Sequence, residues 1–405
     1  MGVGSSSAGQ EWSGEKHRRE HRPEGRPNVP DAGANVKRRE PARAAHGADG
    51  ARTYGFGTRR SRGYLAPMLP LLLLLACHPA PASSPDASSP AANSPPLPAE
   101  FWPTWGDGNA EVATYDLIQP RYGSLRTGTA TLIYVTEDFS WSARIKADPT
   151  SQTAPAQHPD SDIRKVLKLN LLRDFQTGIY TYHTMTSTFA RVDPGDDMAR
   201  WDPLKISTSV QEWCGHVLER WTPSPRRVTI HRETYFDSDD DAGGNDNPPL
   251  TLTAPPTTIY GDDLPILVRQ LGGDWVKPGA TLQAPYFPRQ IDVRFDHTAP
   301  AFSAVVITRS PPPTPAPIDS SIAGSEQLRS GTFHCGVGDV RADIFTAAIT
   351  GGATLTYDVE AAWPHRLLGW SSTTGESAVL RGIDRLPYWN LHNPGDEVNL
   401  KRIGQ

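Results

Sequence analysis

Three cysteines and four methionines in 405 residues leave little sulfur to build with. That excludes a disulfide-dense scaffold and a multi-cysteine zinc module. Long apolar runs are missing too. The longest, residues 65–76, is interrupted by Pro67 and Pro70 and falls short of the ~20 residues a membrane-spanning helix needs. G-x-S-x-G, H-E-x-x-H, G-x-x-x-x-G-K-[ST] and G-x-G-x-x-G do not occur. The chain therefore carries no familiar nucleophile elbow, zinc helix or phosphate loop. No repeat of solenoid length is visible.

The short apolar run fits a different role. Its length matches the apolar stretch of an export signal, Arg59, Arg60 and Arg62 supply the positive flank, and Leu74-Leu75-Ala76-Cys77 follows. This resembles the bacterial lipobox, L-x-[AGS]-C. The resemblance implies cleavage before Cys77 and lipidation, palmitate included, of the new N-terminus. One acyl chain anchors only marginally at ~0.8 kcal/mol per buried CH₂, whereas two or three hold firmly. Residues 63–76 then read as the lipoprotein signal peptide. Residues 77–98 are a Pro/Ser/Ala tether that reaches up to ~60 Å.

Ahead of the signal lie residues 1–62, with 13 Lys/Arg against 7 Asp/Glu and no apolar period. Such a composition cannot offset chain entropy, so disorder is expected. The true start is expected near residues 50–65. A basic nucleic-acid arm fits less well, because acids are scattered through the segment and aromatics are few. Beyond the signal the net charge is −11, against −5 for the whole chain, which disfavours nucleic acid and anionic surfaces. The expected location is the cell envelope, at the outer rather than the inner membrane. The expected partners are the membrane, through the lipid, and a lipid or an envelope protein. No cofactor beyond the covalent N-terminal lipid is expected.

Residues 99–405 can bury a sizeable core. Period-two alternation predicts strands over 110–120, 128–139, 162–172, 177–189, 203–213, 226–236, 289–295, 302–310, 339–349, 353–362, 365–372 and 377–383. Over 261–271, Asp262 or Asp263 can cap a short helix, with Pro265 in its first turn and Gly272-Gly273 ending it. The fold expected is mainly β: an antiparallel meander forming a half-barrel or closed barrel-like sheet, with a short helix and a disordered N-terminal region. The proline cluster at 311–317 suggests two halves, 99–310 and 318–405.

The segments "RYGSLRTGTATLIYVTEDF", "LKLNLLRDFQTGIYTYHTMTSTF" and "STSVQEWCGH" resemble an uncharacterised family of exported bacterial lipoproteins, over roughly 105–236. Some members carry the label of the Maf septum-formation inhibitor, a cytoplasmic nucleotide pyrophosphatase. Maf proteins open on a strand and an S-x-S-P-R-R turn. This chain has "PSPRR" at 223–227, in mid-domain, and its export signal and strand pattern point away from an α/β nucleotide enzyme. The strand order also resembles half-barrel domains that carry lipids on a concave sheet.

Several clusters are candidates for chemistry. Cys214 and Cys335 could form a disulfide in an oxidising compartment, closing a loop worth ~4–5 kcal/mol by the loop-entropy model. His216 lies two residues from Cys214. Asp237, Asp239 and Asp241 have calcium-loop spacing, but Ala242 stands where glycine is required and Pro248 where the bidentate glutamate belongs. His216, together with Asp384, Arg385, Tyr388, Trp389 and His392, could line a ligand site; the alternative for the C-terminal group is locking a terminal strand. Three functions remain: an envelope lipoprotein binding an apolar ligand or partner on a concave sheet, without catalysis; a secreted hydrolase; or a structural component.

Overall fold

The computed structural model describes residues 94–147, 158–196, 198–236, 248–312 and 332–405. The signal, Cys77 and the acidic triplet Asp237, Asp239 and Asp241 lie outside them. The strands, in chain order, are β1 (Ala110–Arg121), β2 (Ser124–Ser140), β3 (Ile145–Lys146), β4 (Ile163–Thr177), β5 (Tyr180–Arg191) and β6 (Pro203–Glu212). They continue as β7 (Gly215–Ser224), β8 (Arg227–Thr234), β9 (Leu250–Thr253), β10 (Ile259–Tyr260), β11 (Thr281–Phe287) and β12 (Ser303–Ser310). The last are β13 (Thr332–Cys335), β14 (Gly338–Ile349), β15 (Thr354–Glu360), β16 (Leu367–Ser372) and β17 (Ser377–Leu386). Among the described residues three short α-helices accompany them: α1 (Phe101–Trp105), α2 (Leu264–Leu267) and α3 (Gln290–Asp296).

The protein is mainly β, one large sheet that does not close. From β1 one arm runs through β2, β4, β5, β6, β7 and β8 to β9. The other runs through β17, β16, β15, β14, β12 and β11 to β10. All these pairings are antiparallel except β10 with β11. The hairpins explain much of this order. Tyr122 and Gly123 both have positive φ, 55° and 69°, the geometry of a two-residue turn whose twist matches its strands. Gly178, at φ 57°, turns β4 into β5. The proline cluster at 311–317 lies mostly outside the described residues, but β12 before it pairs with β14 after it. The suggested halves therefore share one sheet.

Alternation sets which face is buried. On β4, Leu167, Leu169 and Leu171 are buried between partly exposed Lys168, Asn170 and Leu172. The concave side is occupied by the chain itself. The segment after β10 forms a 3-10 turn and then α2, and buries Leu264, Ile266, Leu267, Val268 and Leu271. Tyr134 of β2 donates to the Pro265 carbonyl at 3.1 Å, and Thr188 of β5 donates to the Asp262 carbonyl at 3.0 Å. The void left beside this plug, among Leu132, Leu169, Tyr357 and Trp370, is about 20 Å³. That is room for about one water.

One predicted strand is a helix. Residues 289–295 alternate apolar side chains, yet Gln290–Asp296 is α3. Its start is capped from a distance: Asp262 Oδ2 accepts the Gln290 N–H at 2.8 Å, satisfying a helix-end donor that nearby sequence leaves open.

Candidate functional site

The two ends of the sheet, β9 and β10, are consecutive in the chain yet do not pair. Between them lie Pro255 and Pro256, which have no N–H to offer a ladder, and Thr257 at φ 57°. The resulting seam holds a groove of about 430 Å³, within the range of small-molecule sites at roughly 300–1,000 Å³. Its walls come from four separate stretches: Met198–Pro203 before and into β6, the β7–β8 turn at Pro223–Pro225, the seam itself at Ala254–Tyr260, and Leu282–Ala284 of β11. Trp201, Trp275 and Leu267 add apolar surface.

The groove lies where the described chain begins. The Arg200 backbone N–H donates to Ser94 Oγ at 3.3 Å, and its guanidinium donates to the Pro95 carbonyl and, at 2.8 Å, to the Val192 carbonyl. Phe101 of α1 packs on Trp201 at 5.9 Å between ring centroids.

Two carboxyls face the groove, Asp202 and Asp263. Asp263 is 2 % exposed, and its Oδ1 has no hydrogen-bond partner. Burial, followed by the charges of Asp202 and Asp262, pushes its carboxyl well above the usual range. Burial raises Asp202 to about 6, against the opposing pull of the Ala199 N–H and Arg191. Asp262 is pushed by burial to about 7, although the Gln290 N–H and Arg289 pull it down.

The sign for stability follows. Unfolded, these groups release protons near pH ~4; folded, Asp202 and Asp262 hold theirs to about 6 and 7. Stability from them is full below pH ~4 and is lost as pH rises towards 7. Asp263→Asn removes one such group. It is expected to raise the melting temperature at pH 7.5 and to leave it nearly unchanged at pH 4. Thermal melts followed by circular dichroism check this, and an equal shift at both pH values contradicts it.

The residues singled out from sequence are scattered. His216 is exposed on β7 opposite Gln211. The C-terminal group acts as struts. Arg385 donates to Asp107 Oδ1 at 2.7 Å and to the Thr104 and Asn109 carbonyls, with its guanidinium 4.9 Å above the Trp105 ring. Asp384 accepts from Arg402 at 2.6 Å, His392 Nδ1 lies 2.8 Å from the Trp389 carbonyl, and Tyr388 packs edge-on to Trp389. These contacts fasten β17 to α1 and the last turns to β17. They do not bring His216 to the C-terminal group. "PSPRR" forms the β7–β8 hairpin turn, with Ser224 opposite Arg227. Among the described residues no three His, Cys, Asp or Glu side chains gather to hold a metal ion. No described helix is long and apolar enough to cross a membrane.

Cys214 and Cys335 are free thiols, so the disulfide weighed from sequence is not formed. They sit on turns of different arms: Cys214 is exposed between β6 and β7, and Cys335 is buried at the end of β13. A hydrogen bond with Glu212 raises the Cys214 thiol, and burial raises Cys335. A maleimide is expected to label Cys214 in the folded protein and Cys335 only after denaturation. Peptide mapping by mass spectrometry reads the two sites separately, and labelling of Cys335 in the folded protein contradicts this.

The groove was missed from sequence because its residues come from segments far apart in the chain. Asp262 and Asp263 were read as helix caps. Asp263 precedes α2, yet it makes no side-chain capping bond.

No family model matches the chain, and no curated protein matches it. Among solved structures, the crystal structure of a beta-barrel-like protein of domain of unknown function DUF1849 from Brucella abortus is similar, at 10 % identity and a TM-score of 0.35. The match covers 68 % of this chain and 98 % of that one.

Proposed function

We propose that the protein is an envelope lipoprotein, anchored through Cys77, that binds an apolar or amphipathic ligand without catalysing a reaction on it. The observation that carries this reading is the seam groove: about 430 Å³, walled by tryptophan, proline and aliphatic side chains. The concave interior, where a lipid-carrying half-barrel would hold its ligand, is filled by the plug. The ligand is therefore assigned to the seam. Two further features support the reading. Leu74-Leu75-Ala76-Cys77 has the lipobox pattern, and Ser94 and Pro95 touch Arg200 on the groove wall. The groove would thus open at the tethered end, close to the source of a lipid ligand.

The test has two arms. Cys77→Ala in the full chain is expected to move the protein from the membrane pellet to the soluble fraction; unchanged pelleting removes the anchor. Ala284→Trp, which fills the groove from β11, is expected to weaken binding of an apolar fluorescent probe such as N-phenylnaphthylamine at least about tenfold, a loss of ~1.4 kcal/mol. Equal binding by parent and variant removes the groove.

A second reading is favoured by one observation. Asp202 and Asp263 in the same groove are the residue types that a hydrolase uses as acid and base. Turnover of an ester or glycoside by the purified protein, lost in Asp263→Asn, would establish that reading instead.

A further inference from the structure

We propose that the ligand of the seam groove carries a basic head, an amine or guanidinium, seated on Asp263 and Asp202, with its apolar body along Trp201 and Trp275. This inference rests on the ligand-binding reading above and names the chemical class.

The geometry comes first. Asp263 lines the groove, is 2 % exposed and offers an unpartnered Oδ1. A buried carboxyl in that state has lost its hydration without gaining a hydrogen bond in exchange, and a donor delivered by a ligand would supply one. The charges nearby leave room for a cation. Asp202 shares the groove with Asp263, and Asp262 lies next in the chain. Asp262 is already engaged on the other side, where its Oδ2 accepts from Gln290 and Arg289 acts on it. The foremost charges acting on Asp263 are those of Asp202 and Asp262, both negative when ionised. Two arginines stand close by, and both are occupied. Arg191 donates to Asp196 Oδ2 at 2.7 Å and to the Asp193 carbonyl. Arg200, at the groove wall, donates to the Val192 and Pro95 carbonyls. Tyr260, facing the same groove, is held protonated by burial and by Asp202. The two indoles add ring faces that attract cations. An anionic head would meet two carboxyls here, whereas a cationic head finds its counter-charge.

A pH signature follows. Below pH about 6 Asp202 holds its proton, burial favours the protonated form of Asp263 as well, and an ammonium must displace both protons. Affinity for a cationic ligand therefore rises with pH, by up to about tenfold per unit for each proton released.

Titration calorimetry on the purified full chain, with dodecylamine, dodecanol and dodecanoic acid as probes, tests the inference. At pH 7.5 dodecylamine is expected to bind at least about tenfold more tightly than dodecanol, and dodecanoic acid more weakly than either. The dodecylamine affinity is expected to fall at pH 5 while the dodecanol affinity stays level. Asp263→Asn is expected to erase the preference for the amine over the alcohol and the pH dependence. Asp202→Asn provides the same test should Asp263→Asn fail to fold. Equal affinities for amine and alcohol, or an unchanged preference in both variants, overturn the basic-head assignment and leave the apolar groove intact. Failure of all three probes to bind overturns the groove reading with it.

Discussion

Arg269→Ala is expected to destabilise the protein by about 3–5 kcal/mol, the cost of stranding one partner of a buried ion pair. Arg269 follows α2 in the plug and is fully buried. Its guanidinium grips both oxygens of Glu111 on β1, at 2.6 and 3.1 Å. It also donates to the His365 and Pro364 carbonyls at 2.9 and 3.1 Å, and lies 4.5 Å from the Tyr134 ring centroid. Truncation leaves Glu111 charged and buried without its cation, and frees two carbonyls. Glu111→Gln combined with Arg269→Met removes both charges and is expected to recover much of the loss, because desolvating the pair was itself costly. Urea unfolding of the parent and the two variants checks this. A loss under ~1 kcal/mol in Arg269→Ala would mean that the plug does not depend on the pair.

Glu376→Ala is expected to cost a comparable amount, with a pH dependence of its own. Glu376 sits in the turn before β17, and its carboxylate accepts from Arg173 at 3.2 Å, Arg289 at 2.8 Å and Trp370 Nε1 at 2.8 Å. Burial acts to raise its pKa, but Arg289 and Arg173 with these hydrogen bonds bring it down to about 2, from an ordinary 4.5. A depressed carboxylate contributes fully above its unfolded value, and that contribution is lost as pH falls from about 4.5 to 2. The gap between parent and variant should therefore be constant from pH 7 to 5 and narrow below 4.5. Urea midpoints at pH 7, 5 and 3 measure it, and a gap that widens in acid contradicts the assignment. The carboxyls at Asp202 and Asp262 act in the opposite sense, losing stability as pH rises towards 7. Together the two groups place the most stable pH of the parent near ~4–5.

The strands were legible because burial on one face writes itself as alternation. Leu167, Leu169 and Leu171 against Lys168 and Asn170 reveal β4 without any partner. Tyr122-Gly123 and Gly178 mark turns because few other residues tolerate positive φ. α3 was not legible: Ile291, Val293 and Phe295 alternate as a strand would, and the carboxylate that caps the helix is 28 residues upstream. The plug was read as a short helix, but nothing local says that a helix fills the inside of a sheet. Nothing local in the sequence marks Arg269, Glu111 and Glu376 as buried ion-pair partners, since their partners are up to 203 residues away. Arg385 and Trp389 belong to the dense cluster that the sequence suggested, and the contacts of Arg385 fasten β17 to the segment around α1. The groove depends on where β9 and β10 come to rest, and no single segment encodes that.

Strand β1 sets a condition on timing. Both of its edges are paired, one with β2, which follows at once, and the other with β17, so that Ala110 faces Leu386. A chain delivered from its N-terminus, at a ribosome or through an export channel, makes β1 among the first strands and receives the cover for its second edge among the last. Until then a row of unsatisfied amides and carbonyls stands open to any passing strand. Delivery to near the final residues, rather than successive self-sufficient stages, is what completes this sheet, and a chain cut short before β17 would be left adhesive along its first strand.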